Sequence, residues 1–598
     1  MKRMRHQALT RLSVVGALSL CALIALTPGA LATHGGDREV TVASNDDVFS
    51  QNKQNEPAIA VDPTRPDILV AGANDNIDME ACNAGDDTTC PFTPNVGGSG
   101  VYFSFDSGDS WTQPEYTGWT ARHCLGAPGP DDPDCVVEEG PIGTLPRYDE
   151  VNLVSDGDPA VAFGPRPAAN GSFSWANGSR LYYANLTSSV SADLGEPGLK
   201  GFEAIAVSRT DDVAAAAADD ESAWMQPVLV SKQSSATFAD KEQIWADNAS
   251  SSPFFGNVYV CYASFTGNGA APMVVARSIN GGASWSTRHV SPAHNVAPSR
   301  WGQSGCTIRT DSSGVVYVFW DQFQSPFRFL PPVGTHYLTK SFDGGRSWTR
   351  PRALQRVTDP CFFVDPVIAR CVEDGVAGAR NDLSPAPSVD IANGAPTGSD
   401  ATNFMLNAWV DGRDGLNHEH VMVSWSTDRG ASWSARVAIE DAGDRGYYAA
   451  PAISPNGTDV YVVYNAFTTP FRNDTSSPRS LVGVVKHADV ADILDGPPVA
   501  WDTVHRGDPG DPRGSSQNNL QAGFLGDYVY AVATRTYAAA VWNDARNAAD
   551  CPAIDAWRMS LRTADESDDV PTPAPQQDCA ATFGNTDIFG WSGLDPTP

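Results

Sequence analysis

Beyond its N-terminal segment, this 598-residue sequence has no long apolar run. Crossing a bilayer takes about 20 consecutive apolar residues, so no later membrane span is expected. Positive charge is scarce: 40 Lys and Arg face 71 Asp and Glu, for a net charge of −31. Such a surface repels nucleic acid and anionic membranes. No close Cys-x-x-Cys pair occurs and the 10 histidines are scattered, which argues against structural zinc. Neither a phosphate-cradling glycine loop nor the strand–turn–helix frame of a nucleophilic serine is found.

Turn-formers are plentiful instead. The chain has 53 Gly and 44 Pro, which favours many short strands over long helices. At the start, Lys2, Arg3, Arg5 and Arg11 lead into an apolar stretch from Leu12 to Leu26, followed by Ala30-Leu31-Ala32. This is the layout of an export signal cleaved after Ala32, so residues 1–32 are expected to be a leader and the remainder secreted. The leader holds Cys21, leaving ten of the 11 cysteines, an even number that suits an oxidising compartment. Three pairs are close in sequence: Cys82-Cys90, Cys124-Cys135 and Cys361-Cys371. The other four would then join as Cys261-Cys306 and Cys551-Cys579, although other connectivities stay open.

Four octapeptides share the frame Ser-x-Asp/Asn-x-Gly-x-Ser-Trp: Ser104 to Trp111, Ser278 to Trp285, Ser341 to Trp348, and Ser426 to Trp433. In each, the third residue (Asp106, Asn280, Asp343 or Asp428) can accept backbone N–H bonds inside a tight turn. The glycine supplies positive φ. The tryptophan (Trp111, Trp285, Trp348 or Trp433) brings a large ring to bury. These turns resemble the Asp boxes, or BNR repeats, of the sialidase superfamily of β-propellers. The resemblance implies that each turn joins the third and fourth strands of a blade at the periphery, away from the active site.

Seven segments read as an inner strand followed by a second strand. They begin at Glu56, Asp158, Lys241, Cys306, Ser388, Ala450 and Tyr528. The expected fold is therefore all-β: a propeller of four-stranded antiparallel blades, seven in number, with six as the alternative count. The second unit lacks an octapeptide and carries an alanine- and acid-rich run, Ala214 to Glu221, read as a helical or disordered insertion. The seventh also lacks one, so a strand near a chain terminus must close the ring: Glu39 to Val42, or Asp587 to Trp591. Residues 33–563 are expected to form the propeller. Residues 564–598, rich in Pro and Asp, form a C-terminal segment that could supply the closing strand.

Ligands in propellers sit at one end of the central channel, among the turns that lead into the inner strands. Here those turns carry Glu56, Asp158, Asp240 with Lys241 and Glu242, Gln303, Asp382, Tyr447 with Tyr448, and Asp527 with Tyr528. Clustered carboxylates suit general acid–base work on a glycosidic bond, or a calcium ion held by oxygen ligands. No cofactor is required by this reading; calcium is the ion the acids would accept, and no metal ligand set is assigned. The resemblance implies more: a tyrosine nucleophile polarised by a Glu, an Asp acid/base, and three arginines gripping a sialate carboxylate. Tyr447 or Tyr448 would be that nucleophile, with Glu242 or Asp240 beside it, and Arg300, Arg380 and Arg445 would be the grip. The family's Arg-Ile-Pro is replaced by Asn55-Glu56-Pro57, so its first arginine is absent and an acid stands in its place.

Two further segments, Trp409-Val-Asp411-Gly-Arg413 and Trp542-Asn-Asp544-Ala-Arg546, look alike and read as scaffold turns. The functional expectation is an exo-glycosidase of exo-α-sialidase type acting on extracellular glycans or glycoproteins. The alternative is a non-catalytic propeller that binds glycan or protein at the cell surface. Action on a neutral or uronic polysaccharide through paired carboxylates is a third course.

Overall fold

A computed structural model describes residues 35–82, 93–125, 135–192, 194–231, 233–267, 271–292, 301–324, 331–496, 499–563 and 571–598. The expected leader, Cys90 and Arg300 lie outside them. The described residues form a ring of seven small antiparallel sheets, settling the count at seven rather than six.

The inner strands follow in chain order: Gln54–Asp62, Ala160–Pro165, Thr237–Ala246, Trp301–Thr310, Ser388–Ile391, Arg445–Ile453 and Tyr530–Ala533. Each pairs with a second strand and the second with a third. Blade 1 has three strands, its outer edge reduced to a bridge between Phe103 and Thr112. In blade 2 the alanine-rich run forms a short helix, Val213–Ala217, between the third and outer strands. Both candidate closing strands are used in blade 7: Asp587–Leu594 is its third strand and Arg38–Glu39 its outermost.

Period-2 patterning explains why the sheets stack radially, because alternate side chains on a strand point to opposite faces. On the second strand of blade 4, Val316, Val318 and Trp320 pack toward blade 3, while Tyr317 and Phe319 pack toward blade 5. The same division recurs around the ring and yields seven buried interblade clusters. The blades are thus apolar on both faces, as strands buried on both sides must be.

The four octapeptides each follow a third strand and share one bond set. In the first, the Ser110 N–H donates to Asp106 Oδ1 at 2.9 Å and the Gly108 N–H to Ser104 Oγ at 2.9 Å. The equivalents at Asn280, Asp343 and Asp428 are the same in kind. Each turn's tryptophan packs, half-buried, against the cluster between its own blade and the one before. The two Trp-x-Asp-x-Arg segments also match. Trp409 Nε1 and Trp542 Nε1 donate to Asp411 and Asp544 at 3.1 and 3.0 Å, and each aspartate pairs with the arginine two residues on.

Four disulfides lie wholly among the described residues: Cys124-Cys135, Cys261-Cys306, Cys361-Cys371 and Cys551-Cys579. The Cys261-Cys306 bond ties the second strand of blade 3 to the inner strand of blade 4. No helix among the described residues is long and apolar enough to cross a membrane.

Candidate active site at the channel mouth

Where the inner strands begin, one backbone feature repeats. Glu56, Asp158 and Lys241 all have positive φ, at 57°, 50° and 57°, and Gly305 holds the same place in blade 4 at 63°. Each stands two residues before the start of regular pairing at Ala58, Ala160, Gln243 and Thr307. In three of these blades the register shifts at this point, which marks a bulge. Glycine takes this conformation freely; a residue with Cβ does so at a cost of roughly 1–3 kcal/mol. Three consecutive blades bear that cost with a charged side chain, and the three converge.

Their meeting point is the Lys241 ammonium. It lies 2.8 Å from Asp527 Oδ2, 2.9 Å from Asp158 Oδ2, and 3.8 Å from both Glu56 Oε1 and Asp240 Oδ1. Arg380 closes the other side, its Nη2 2.8 Å from Asp527 Oδ2 and its Nε 3.8 Å from Asp382 Oδ2. The Arg380 guanidinium also stacks 4.2 Å above the Phe524 ring. Five carboxyl groups thus share two cations, and they cannot all ionise alike.

Their protonation separates accordingly. Burial pushes the Glu56 carboxyl well up, Asp158 adds to this, and Glu56 keeps a proton that it donates to Asp158. Against the upward push of burial, Lys241 and that bond hold Asp158 below its ordinary value. Asp527 is held lower still by Arg380 and Lys241, again against burial. Asp240, open to the mouth, is pushed up by burial to about 6, with Lys241 opposing.

The remaining sequence candidates occupy different surroundings. Tyr447 and Tyr448 are buried side by side, ring centroids 4.2 Å apart, and both hydroxyls donate to the Arg380 carbonyl. Tyr448 also reaches Asp527 Oδ1 at 3.3 Å. Burial pushes both phenols well up. Neither hydroxyl bonds Glu242 or Asp240 among the described residues. Glu242 is buried below the mouth with no side-chain partner for either oxygen among the described residues, and burial, with Asp158 adding to it, pushes its carboxyl well up. Arg445 does not reach the cluster. Its guanidinium is buried against Glu419, 2.9 Å away, and donates to the Glu373 and Thr469 carbonyls. Of the three arginines singled out, the described residues bring only Arg380 to the channel mouth.

Among the cavities that adjoin the cluster, two are large. One, of about 380 Å³, is lined by Lys53, Asn74, Asp156, Glu203, Phe202 and Phe524 among others. Burial lowers Lys53 to about 7 and raises Glu203 to about 9. The other, of about 340 Å³, opens onto Asp240 and Lys241 and is lined by Asp321, Asp359, Asn381 and two further phenylalanines. These groups escaped the sequence reading because they belong to loops and second strands that have no counterpart from blade to blade.

No protein-family model matches this chain, and no curated protein does. Similar solved structures include the Hadza microbial sialidase Hz136, at 12% identity and TM-score 0.38, covering 69% of this chain and 63% of that one. Trypanosoma rangeli sialidase in complex with the inhibitor DANA aligns at 10% identity and TM-score 0.37, over 77% and 61%. Penicillium chrysogenum α-L-arabinanase complexed with arabinobiose aligns at 14% identity and TM-score 0.39, over 73% and 94%. This chain therefore spans less than two thirds of the length of the two sialidases.

Proposed function

We propose that this propeller is an extracellular glycoside hydrolase in which carboxyl groups, and not a tyrosine, carry the acid–base work. One observation bears most of the weight: Asp158 and Asp240 lie within 3.8 Å of one ammonium nitrogen, with protonation pushed in opposite directions. Two titratable groups driven apart in this way mark an acid and a base. Asp240, raised to about 6 and facing the mouth, protonates the leaving-group oxygen. Asp158, kept ionised by Lys241, attacks the anomeric carbon or activates water. Glu56 and Asp527 fix the charge around them, and Tyr447 and Tyr448 hold the Arg380 backbone from below.

The tyrosine-and-arginine version has less support. The two phenols are buried with raised pKa, and Arg445 is committed to Glu419. The export-signal layout expected from the sequence and the four disulfides among the described residues support an extracellular setting.

The test is turnover of a panel of aryl glycosides: a sialoside, arabinosides and neutral hexosides. Asp240→Asn and Asp158→Asn should each lower kcat about 10²–10⁴-fold while Tyr447→Phe retains most activity. In the wild type, kcat/KM should fall as pH rises through about 6, where Asp240 loses its proton, and Asp240→Asn should erase that limb. Full activity in both carboxamide variants would defeat the proposal. A second reading, a glycan-binding module, is favoured by the way Lys241 and Arg380 are already saturated by the protein's own acids. Binding without turnover of any glycoside would select it.

A further inference from the structure

The cavity beside Asp240 contains more acid than its cations can serve. Its carboxyls are Asp240, Asp321, Asp359 and Asp382; its cations are Lys241 and Arg370. Lys241 is engaged by Asp527 and Asp158, and Arg370 by Asp382 at 2.8 Å. Among the described residues, Asp321 and Asp359 are left without a counter-charge. Asn381 is 1% exposed and Asp321 3% exposed. Yet Asp321 Oδ1, Asp359 Oδ1 and both amide atoms of Asn381 have no hydrogen-bond partner among the described residues. Buried polar atoms are satisfied in the great majority of cases, so several orphans lining one cavity point to an absent ligand. Three of the four orphan atoms are acceptors, so the missing group is a donor.

Resting on the hydrolase reading above, we infer that this cavity is a subsite for a sugar unit bearing a free amino group, and that the substrate is a cationic amino-sugar glycan. An ammonium offers three donors and the charge that Asp321 and Asp359 lack. The Phe265 and Phe323 rings on the wall suit the apolar face of a pyranose and the cation beside it. The volume of about 340 Å³ accommodates a sugar ring and greatly exceeds a bare ion. A calcium site would need six to eight oxygens, and no three carboxylates of this cavity form a close ligand group among the described residues. Burial pushes Asp321 up to about 7, and burial with the neighbouring Asp321 and Asp382 raises Asp359 as well.

The experiment is calorimetric titration of the full chain at pH 7 with a β-1,4-linked glucosamine tetramer, its fully N-acetylated counterpart, and calcium chloride. The free-amine tetramer should bind about tenfold or more tightly than the acetylated one, the scale of one charge-assisted hydrogen bond. Asp359→Asn and Asp321→Asn, folded by their melting curves, should bring that ratio toward one. Equal affinity for both tetramers in the wild type overturns the inference, and needs no variant to be read. Calcium binding that Asp359→Asn abolishes, with no preference between tetramers, overturns it in favour of a metal site. Turnover of neutral glycosides without preference for amines sinks this inference and leaves hydrolysis standing. An amine preference in binding with no turnover does the reverse.

Discussion

Replacing Glu56 and Asp527 by their amides should give opposite outcomes, although both acids are buried in one cluster. Asp527 is ionised and lies 2.8 Å from both Lys241 and Arg380. Removing one partner of a buried pair costs about 3–5 kcal/mol. Because Lys241 and Arg380 keep some solvent access, the lower end, about 3 kcal/mol, applies to Asp527→Asn. Glu56 already keeps its proton and donates it to Asp158, and Asn74 Nδ2 donates to its other oxygen at 2.8 Å. A glutamine reproduces both bonds, so Glu56→Gln should change stability by no more than about 0.5 kcal/mol at mildly acidic pH. At roughly 2.1 cal/mol/K per residue, a chain of this size unfolds with an entropy of about 1.2 kcal/mol/K. The two changes then amount to a Tm loss of about 2–3 °C and to almost none.

The pH dependence sharpens the contrast. The folded pKa of Glu56 is raised, so above its ordinary value of 4.5 the unfolded chain sheds a proton that the folded chain retains. The wild type therefore loses stability as pH rises above 4.5, and Glu56→Gln should gain on it over that rise. The folded pKa of Asp527 is depressed, so its contribution is complete above 3.8 and fades as pH falls below that value. The Asp527→Asn deficit should be full at pH 7 and close in acid. Calorimetric melting of both variants from about pH 2 to pH 8 reads this directly. If Glu56→Gln melted as low as Asp527→Asn at neutral pH, the assignment of charge within the cluster would be refuted.

Two other substitutions address parts of the molecule outside the mouth. Arg445→Met leaves Glu419 buried without its counter-ion and should cost about 3–5 kcal/mol, while the KM and kcat of the proposed glycosidase activity stay unchanged in the folded protein. A selective rise in KM would instead return Arg445 to the site. Opening Cys261-Cys306 by a double alanine substitution releases a loop with a sequence separation of 45, worth about 4 kcal/mol of chain entropy. The melting temperature should fall by about 3 °C, and an unchanged value would refute that estimate.

What the sequence disclosed is what repeats. The alternation on strands such as Val316–Gln324 and the four Ser-x-Asp/Asn-x-Gly-x-Ser-Trp turns made seven blades legible. Glu56, Asp158 and Asp240 stood out because they immediately precede inner strands. Two things were hidden. The left-handed backbone at Glu56, Asp158 and Lys241 has no residue signature, since glycine is its usual occupant and appears only at Gly305. Asp321, Asp359 and Asn381 come from three separate loops and strand ends, and only the ring's curvature brings them to one cavity. Arg380 and Arg445 looked equivalent because each precedes an inner strand by a few residues; Glu419, from the neighbouring blade, captures one of them.

Blade 7 unites segments that are 546 residues apart, as Thr41 bonding Asp587 illustrates. Six blades can assemble as they are made, each on its predecessor, but the seventh must wait until the last strand is available. Until then Val541 and Ile588 on one side, and Leu69 and Tyr102 on the other, have no wall to press against. The incomplete ring is a horseshoe with two sticky ends, open to pairing with another copy of itself. Trimming Asp587–Leu594 would trap the chain in that shape, and its first symptom would be oligomers that form during refolding.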